Sequence, residues 1–328
     1  MYTATLNGEH VAIKMVRSQS DYAAKRDLRS EAALLTDIGR RPHRHVLQLV
    51  GEGCDDSGRP FLVLELLSST LADALPKPRV TLFGVPTEPD EVGVCQHAYA
   101  ASRWPLVRAL HVAYQLALGL KYLHEEDAIP GKVIIHRDLK PDNVGFLASD
   151  GSVVLFDLGL ATSWERHPAT GGAGRDDKPP RKLTGQTGST RYMAPEVALS
   201  KPYSGSAEVF SFGLILWQLA SHDRPFRGLS EADHTRRVAK GGERPPLPSS
   251  WPPALKQLLR DCWRAEPSER PDFSSVVHAL EKLLQSQQAS GSKWSRRQEA
   301  GLALRADNAS DSSTSSTSEL AAVQLNRI

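Results

Sequence analysis

Residues 133–143 read Val133-Ile-Ile-His-Arg-Asp-Leu-Lys-Pro-Asp-Asn143. Asp138 follows directly on an apolar run, where a packed core has no use for a carboxylate, and such misplaced charges are where chemistry is to be sought. Lys140, Asp142 and Asn143 crowd in just after it. A base, a cation for phosphate oxygens and an oxygen ligand within so short a span point to phosphoryl transfer more than to a salt-bridged surface loop.

Two further acidic residues are out of place in the same way. Asp157 interrupts Val153-Val-Leu-Phe-Asp-Leu-Gly-Leu-Ala161, an apolar strand that ends at Gly159. A carboxylate there is placed to hold a hard cation such as magnesium, which prefers oxygen ligands; the alternative is a turn cap. Glu31 shares a helical stripe with Ala24, Leu28, Leu35 and Ile38. An uncompensated carboxylate on that face would cost several kcal/mol. Either it pairs with a cation, for which Lys14 at the end of Val11-Ala-Ile-Lys14 is the candidate, or the helix is rotated so that Glu31 faces water.

The surrounding elements change type along the chain. Thr3 to Val16 and Val46 to Leu67 hold short β-prone runs, Asn7-Gly8 is a hairpin turn signal, and one helix is expected from about Asp21 to Ile38. Leu106, Leu110, Ala113, Ala117 and Leu120 recur at helical spacing, with Pro105 suited to the first turn. Glu208 to Ala220, Pro253 to Trp263 and Phe273 to Leu284 also read as helices. The expected fold class is α+β: a small antiparallel β-sheet lobe with one helix, followed by a larger, mainly helical lobe. Prolines at 76, 78, 86 and 89 mark 76–103 as an insertion loop, and His167 to Pro180 reads as a second loop. From 286 the sequence turns Gln-, Ser- and Gly-rich and reaches Asp311-Ser-Ser-Thr-Ser-Ser-Thr-Ser318, so 286–328 is expected to be a disordered tail.

The chain has 328 residues and 40% hydrophobic content, enough for about two compact units or one two-lobed domain. Its 40 basic and 38 acidic residues give a formal net charge of +2, which argues for no nucleic-acid or membrane surface. Three cysteines, Cys54, Cys95 and Cys262, lack any Cys-x-x-Cys pairing and fit free thiols in a reducing compartment. No run of about 18 apolar residues and no signal peptide is read, so a soluble, cytoplasmic protein with no membrane span is expected.

Taken together, Val11-Ala-Ile-Lys14, His136-Arg-Asp-Leu-Lys-Pro-Asp-Asn143, Asp157-Leu-Gly159 and Ala194-Pro-Glu196 closely resemble the eukaryotic protein kinase family, in the family order, over about residues 1–285. The resemblance implies a bilobal fold, with an N-terminal lobe at 1–67 and a C-terminal lobe at 68–285. It implies ATP and magnesium as cofactors and protein substrates with Ser or Thr acceptors. By it, Lys14 is expected to hold the α- and β-phosphates, oriented by Glu31. Asp138 is expected to be the catalytic base, Lys140 to stand by the transferring phosphate, and Asn143 and Asp157 to ligate magnesium. Ala12 is expected to cover the adenine, with Leu64 as gatekeeper and Glu65 to Leu67 as hinge. Ser189, in Gly188-Ser-Thr-Arg-Tyr192, resembles the hydroxyl residue that supports the base, and Glu196 and Arg270 resemble the ion pair of the large lobe. Lys140 favours Ser/Thr substrates. Tyr192-Met-Ala-Pro-Glu196 and the Ser211–Trp217 helix look most like the tyrosine-kinase-like branch. Arg137 implies control by phosphorylation, by an upstream kinase or by autophosphorylation, with Thr184 and Thr187 as acceptors.

Three departures qualify the resemblance. No Gly-x-Gly-x-x-Gly-x-Val precedes Val11-Ala-Ile-Lys14, and Met1 falls on that valine, so the first strand and glycine loop are expected to be missing through N-terminal truncation. The alternative is a pseudokinase-like interaction module, weakly active or inactive. Leu158 replaces the usual Phe, and Glu208 stands where the family has an Asp that accepts backbone N–H groups of the catalytic loop.

Overall fold

The computed structural model describes residues 1–18, 20–75, 104–125, 128–165, 183, 188–290 and 325–326. Strands β1 (Tyr2–Leu6) and β2 (Glu9–Met15) form an antiparallel hairpin. Asn7 and Gly8 close it with φ of 53° and 88°. Positive φ at both turn residues matches the right-handed twist of the strands, which is why Asn-Gly serves there. Strands β3 (Leu49–Cys54) and β4 (Pro60–Glu65) extend the sheet in the order β1-β2-β4-β3, and Leu325–Asn326 pairs with the outer edge of β3. Ala12 stands opposite Leu64, and Lys14 opposite Leu62.

Helix α1 (Tyr22–Gly39) is capped by Asp21, whose side chain accepts the Ala24 N–H at 2.9 Å. Its buried stripe of Leu28, Glu31, Ala32, Leu35 and Ile38 lies against the sheet. This stripe places a carboxylate in an apolar interface.

Beyond the first sheet, β5 (Leu67–Thr70) pairs with β7 (Val144–Leu147), and β7 pairs with β8 (Val153–Leu155). A second pair joins β6 (Lys132–Ile135) to β9 (Thr162–Glu165). Behind these ribbons stand helices α2 (Leu106–Glu125), α3 (Ser206–Ser221), α4 (Pro253–Cys262) and α5 (Phe273–Ser290). Every residue of α3 from Ala207 to Leu219 is buried. A helix enclosed on all sides belongs to the core of its lobe; α2 and α4 pack against it, and α5 packs chiefly against α2. The lobes are joined through the segment after α1: Leu155 N–H donates to His45 O, and Leu47 N–H to Leu155 O, both at 3.0 Å.

The fold is the expected bilobal α+β arrangement. Two features differ: Leu325–Asn326, within the expected disordered tail, form a strand on β3, and one boundary moves. Helix α5 runs to Ser290, past the expected limit at 286, because the Gln-rich stretch holds no helix breaker before Gly291. The insertion at 76–103, the His167–Pro180 loop and most of the expected tail lie outside the described residues. Among the described residues, no helix is long and apolar enough to cross a membrane.

Candidate active site

The cleft between the lobes is tied by one ammonium. Lys14 Nζ, carried by β2, lies 2.8 and 2.7 Å from the two carboxylate oxygens of Glu31 and 2.7 Å from Asp157 Oδ1. Glu31 is only 4% exposed, so its charge is acceptable there because Lys14 meets it. Burial disfavours the Lys14 ammonium, but Glu31 and Asp157 together outweigh it and hold its pKa above the ordinary value. Burial pushes the Glu31 carboxyl up, against the attraction of Lys14. Burial would also raise Asp157, yet Lys14, with His136 and Lys140 behind it, holds that carboxyl below its usual range.

Asp157 adopts φ 64° and ψ 66°, the left-handed region that an L-residue with a β-carbon enters at a cost. Arg137 does the same at φ 70°. Such strain persists where surrounding bonds over-determine it, and here they do. His136 is fully buried, with Nε2 2.8 Å from Phe156 O, which fixes one loop to the other. The Arg137 N–H donates to Glu208 Oε1 at 2.6 Å, and Arg137 Nε donates to the Tyr203 hydroxyl at 2.8 Å.

Asp138 is gripped from three sides. Lys140 Nζ lies 2.6 Å and Asn143 Nδ2 3.0 Å from Oδ2, and the Ser189 N–H donates to Oδ1 at 2.8 Å. Asn143 Nδ2 also reaches Asp138 O at 2.8 Å. It is the Ser189 backbone, not a hydroxyl bond, that meets Asp138. Gly188 makes this approach possible: at φ +94°, a Cβ there would stand 2.6 Å from Arg137 O and 3.0 Å from Asp138 Oδ1.

Glu208 replaces Asp without losing the bond to the catalytic loop. Its longer side chain reaches further, and Oε2 meets His124 Nε2 at 2.7 Å. His124, His136 and the Arg137 N–H overcome burial and hold the Glu208 carboxyl below its ordinary value. Glu196 and Arg270 form a buried pair with contacts of 2.5 and 2.9 Å.

The structure thus brings Lys14, Glu31 and Asp157 into one cluster and Asp138, Lys140, Asn143 and Ser189 into another beside it. Ala12 and Leu64 are buried cross-strand neighbours in the sheet above them. Glu65 turns its carboxylate to the Gln48 N–H at 2.8 Å, and Leu67 begins β5, with its side chain over Gly145. Thr184 and Thr187 lie outside the described residues. Sequence reasoning missed His124, Tyr203 and Gly188; the glycine stood inside a quoted motif, whereas a histidine at a helix end carries no distinguishing pattern.

The donor set suits a hard cation. Asn143 commits its Nδ2 to Asp138, which leaves the amide oxygen, and Asp157 uses only Oδ1 on Lys14 among the described residues.

The sequence profile described as "Protein tyrosine and serine/threonine kinase" matches residues 2–280. The chain belongs to this kinase family. It is 30% identical over 287 residues to serine/threonine/tyrosine-protein kinase HT1 of Arabidopsis thaliana, covering 86% of this chain and 62% of that protein. Human mitogen-activated protein kinase kinase kinase 11 is 29% identical over 293 residues, covering 86% and 29%. Dual specificity protein kinase shkC of Dictyostelium discoideum is 28% identical over 287 residues, covering 87% and 49%. The chain spans less than two thirds of the length of each of these relatives, and they are consistent with the tyrosine-kinase-like branch.

Proposed function

We propose that this chain is an ATP-dependent protein serine/threonine kinase. The observation that carries this is the grip on Asp138: a carboxylate oriented by Lys140, Asn143 and the Ser189 N–H, beside a lysine tied to Glu31 and Asp157. In the proposed reaction a substrate hydroxyl oxygen bonds to the γ-phosphorus of ATP, the bond to the β-phosphate oxygen breaks, and ADP leaves. Asp138 accepts the hydroxyl proton, and its neighbours keep it aimed at the acceptor. Lys14 meets the α- and β-phosphates, held in place by Glu31, and Lys140 offers positive charge to the transferring group. Ala12 and Leu64 supply apolar walls for the adenine, with the backbone from Glu65 to Leu67 at its edge. Asn143 and Asp157 would hold magnesium, which supplies charge neutralisation at the phosphate oxygens when bound.

The preference for Ser and Thr rests on Lys140 standing against Asp138. Purified protein incubated with Mg-ATP should label Ser and Thr peptides well above a Tyr peptide, and Asp138→Asn should lower labelling by about a hundredfold or more. Equal background labelling by both proteins would end this reading. Thr184 and Thr187 are the proposed regulatory acceptors, to be sought by mass spectrometry of the active protein. Free Cys54 and Cys262 support a reducing compartment such as the cytoplasm.

A further inference from the structure

Arg191 is held against a segment that carries two further arginines, Arg224 and Arg227. Arg191 lies in the short turn Thr190–Tyr192, two residues beyond Ser189, whose N–H holds Asp138. Its Nη1 donates to Pro225 O at 2.6 Å and to Phe226 O at 2.8 Å. These contacts set its charge against the backbone between Arg224 and Arg227. Neutral carbonyls orient a guanidinium without cancelling its charge.

Two carboxylates offset part of the charge around it. Arg227 is paired with Asp223. Glu231 lies close by and accepts from Thr190 Oγ1 at 3.3 Å. The exposed guanidinium of Arg224 has no carboxylate partner among the described residues; Asp223 meets it only through the Arg224 N–H, at 2.7 Å. Burial, with the charges of Arg224 and Arg227 added, pushes the Arg191 guanidinium below its ordinary value. The three guanidiniums outnumber the two carboxylates beside them, Asp223 and Glu231, and a net positive patch attracts negative charge.

We propose that Arg191, Arg224 and Arg227 form a recognition surface for an anionic side chain on the protein substrate, bound while its hydroxyl faces Asp138. This rests on the kinase reading. Arg191 stands two residues beyond Ser189, whose N–H holds Asp138, so a polypeptide whose hydroxyl faces Asp138 can present a neighbouring side chain to the guanidiniums. Carboxylate and phosphorylated side chains share the required chemistry, because Arg binds both in a bidentate manner.

The test uses fluorescent peptides with one Ser acceptor flanked by Asp, phosphoserine, Ala or Lys, and a single-stranded RNA of matched charge. Binding is read by anisotropy at low and high salt, and labelling is read separately. Wild type should bind the Asp peptide about tenfold more tightly than the Ala peptide at low salt, with the gap closing as salt rises. A further gain with phosphoserine would assign the surface to phosphorylated substrates, and no gain to acidic ones; either supports it. Arg224→Glu should invert the order and favour the Lys peptide, an outcome that simple damage to the fold does not produce. Arg227→Glu is the second variant. Equal or absent binding of all peptides by wild type, a uniform loss in both variants, or preference for the RNA would overturn the proposal. Labelling without charge preference sinks this surface alone; charge-selective binding without labelling sinks the kinase reading alone.

Discussion

At the scale of single residues, His234 is the least comfortable group in the described structure. It is 2% exposed, and neither ring nitrogen has a hydrogen-bond partner among the described residues. Its ring meets Phe226 edge-on at a centroid distance of 5.5 Å. Burial, reinforced by Arg191 and Arg244, depresses its pKa to about 4 from 6.5. Between those values the unfolded chain binds a proton that the folded chain refuses, so stability falls as pH drops from 6.5 towards 4. His234→Leu, of similar size and apolar, should raise stability by about 1 kcal/mol at pH 7 and by more at pH 5. Urea unfolding at the two pH values measures this; an equal effect at both would show that the ring is not the acid-sensitive group. Legibility at this scale followed charge. Glu31 and Asp157 were visible because a carboxylate in an apolar stripe or strand is an anomaly, whereas a buried histidine such as His234 or His124 breaks no pattern.

At the scale of elements, helix α3 and the catalytic loop are joined by a carboxylate one methylene longer than its family counterpart. The reach is used: Glu208 spans from the Arg137 N–H to His124 at the end of α2. Gly205 leaves room for that imidazole, since a Cβ there would stand 2.7 Å from its Nδ1. A shorter side chain cannot keep both contacts from the same backbone position. Glu208→Asp, although it restores the family residue, should therefore cost about 1–3 kcal/mol and lower activity by about tenfold or more. Denaturant melts with steady-state kinetics would decide this, and an unchanged or improved enzyme would show that His124 is a bystander. Element type was legible wherever periodicity was clean, as in α1 and α2. The end of α5 was not, because a Gln- and Ser-rich composition lacks apolar residues without lacking helix formers.

At the scale of the whole molecule, the described chain is held by contacts between residues far apart in sequence. Two of them, the backbone bonds that tie His45 and Leu47 to Leu155, carry no sequence signature. Lobe order was readable from the succession of strands and helices, but the joint between lobes was not. The Glu196–Arg270 pair is the buried ionic counterpart of these ties, with side chains 6% and 0% exposed. Arg270 also donates to Ser206 O and Arg264 O, both at 3.0 Å, so one side chain binds three segments. Removing one partner leaves the other charged and dry. Arg270→Met should thus cost about 3–5 kcal/mol, while adding Glu196→Leu should recover part of that loss by removing the stranded carboxylate. Recovery should be incomplete, because the two carbonyls remain without their donor. Arg270→Lys should still be destabilising, since one ammonium cannot reproduce the planar fork. All three effects should persist at high salt, because buried pairs are little screened. Guanidinium melts would confound charge with salt, so urea is the denaturant to use. If the double variant were no more stable than Arg270→Met alone, the cost would lie in the lost carbonyl bonds and packing rather than in the unpaired charge.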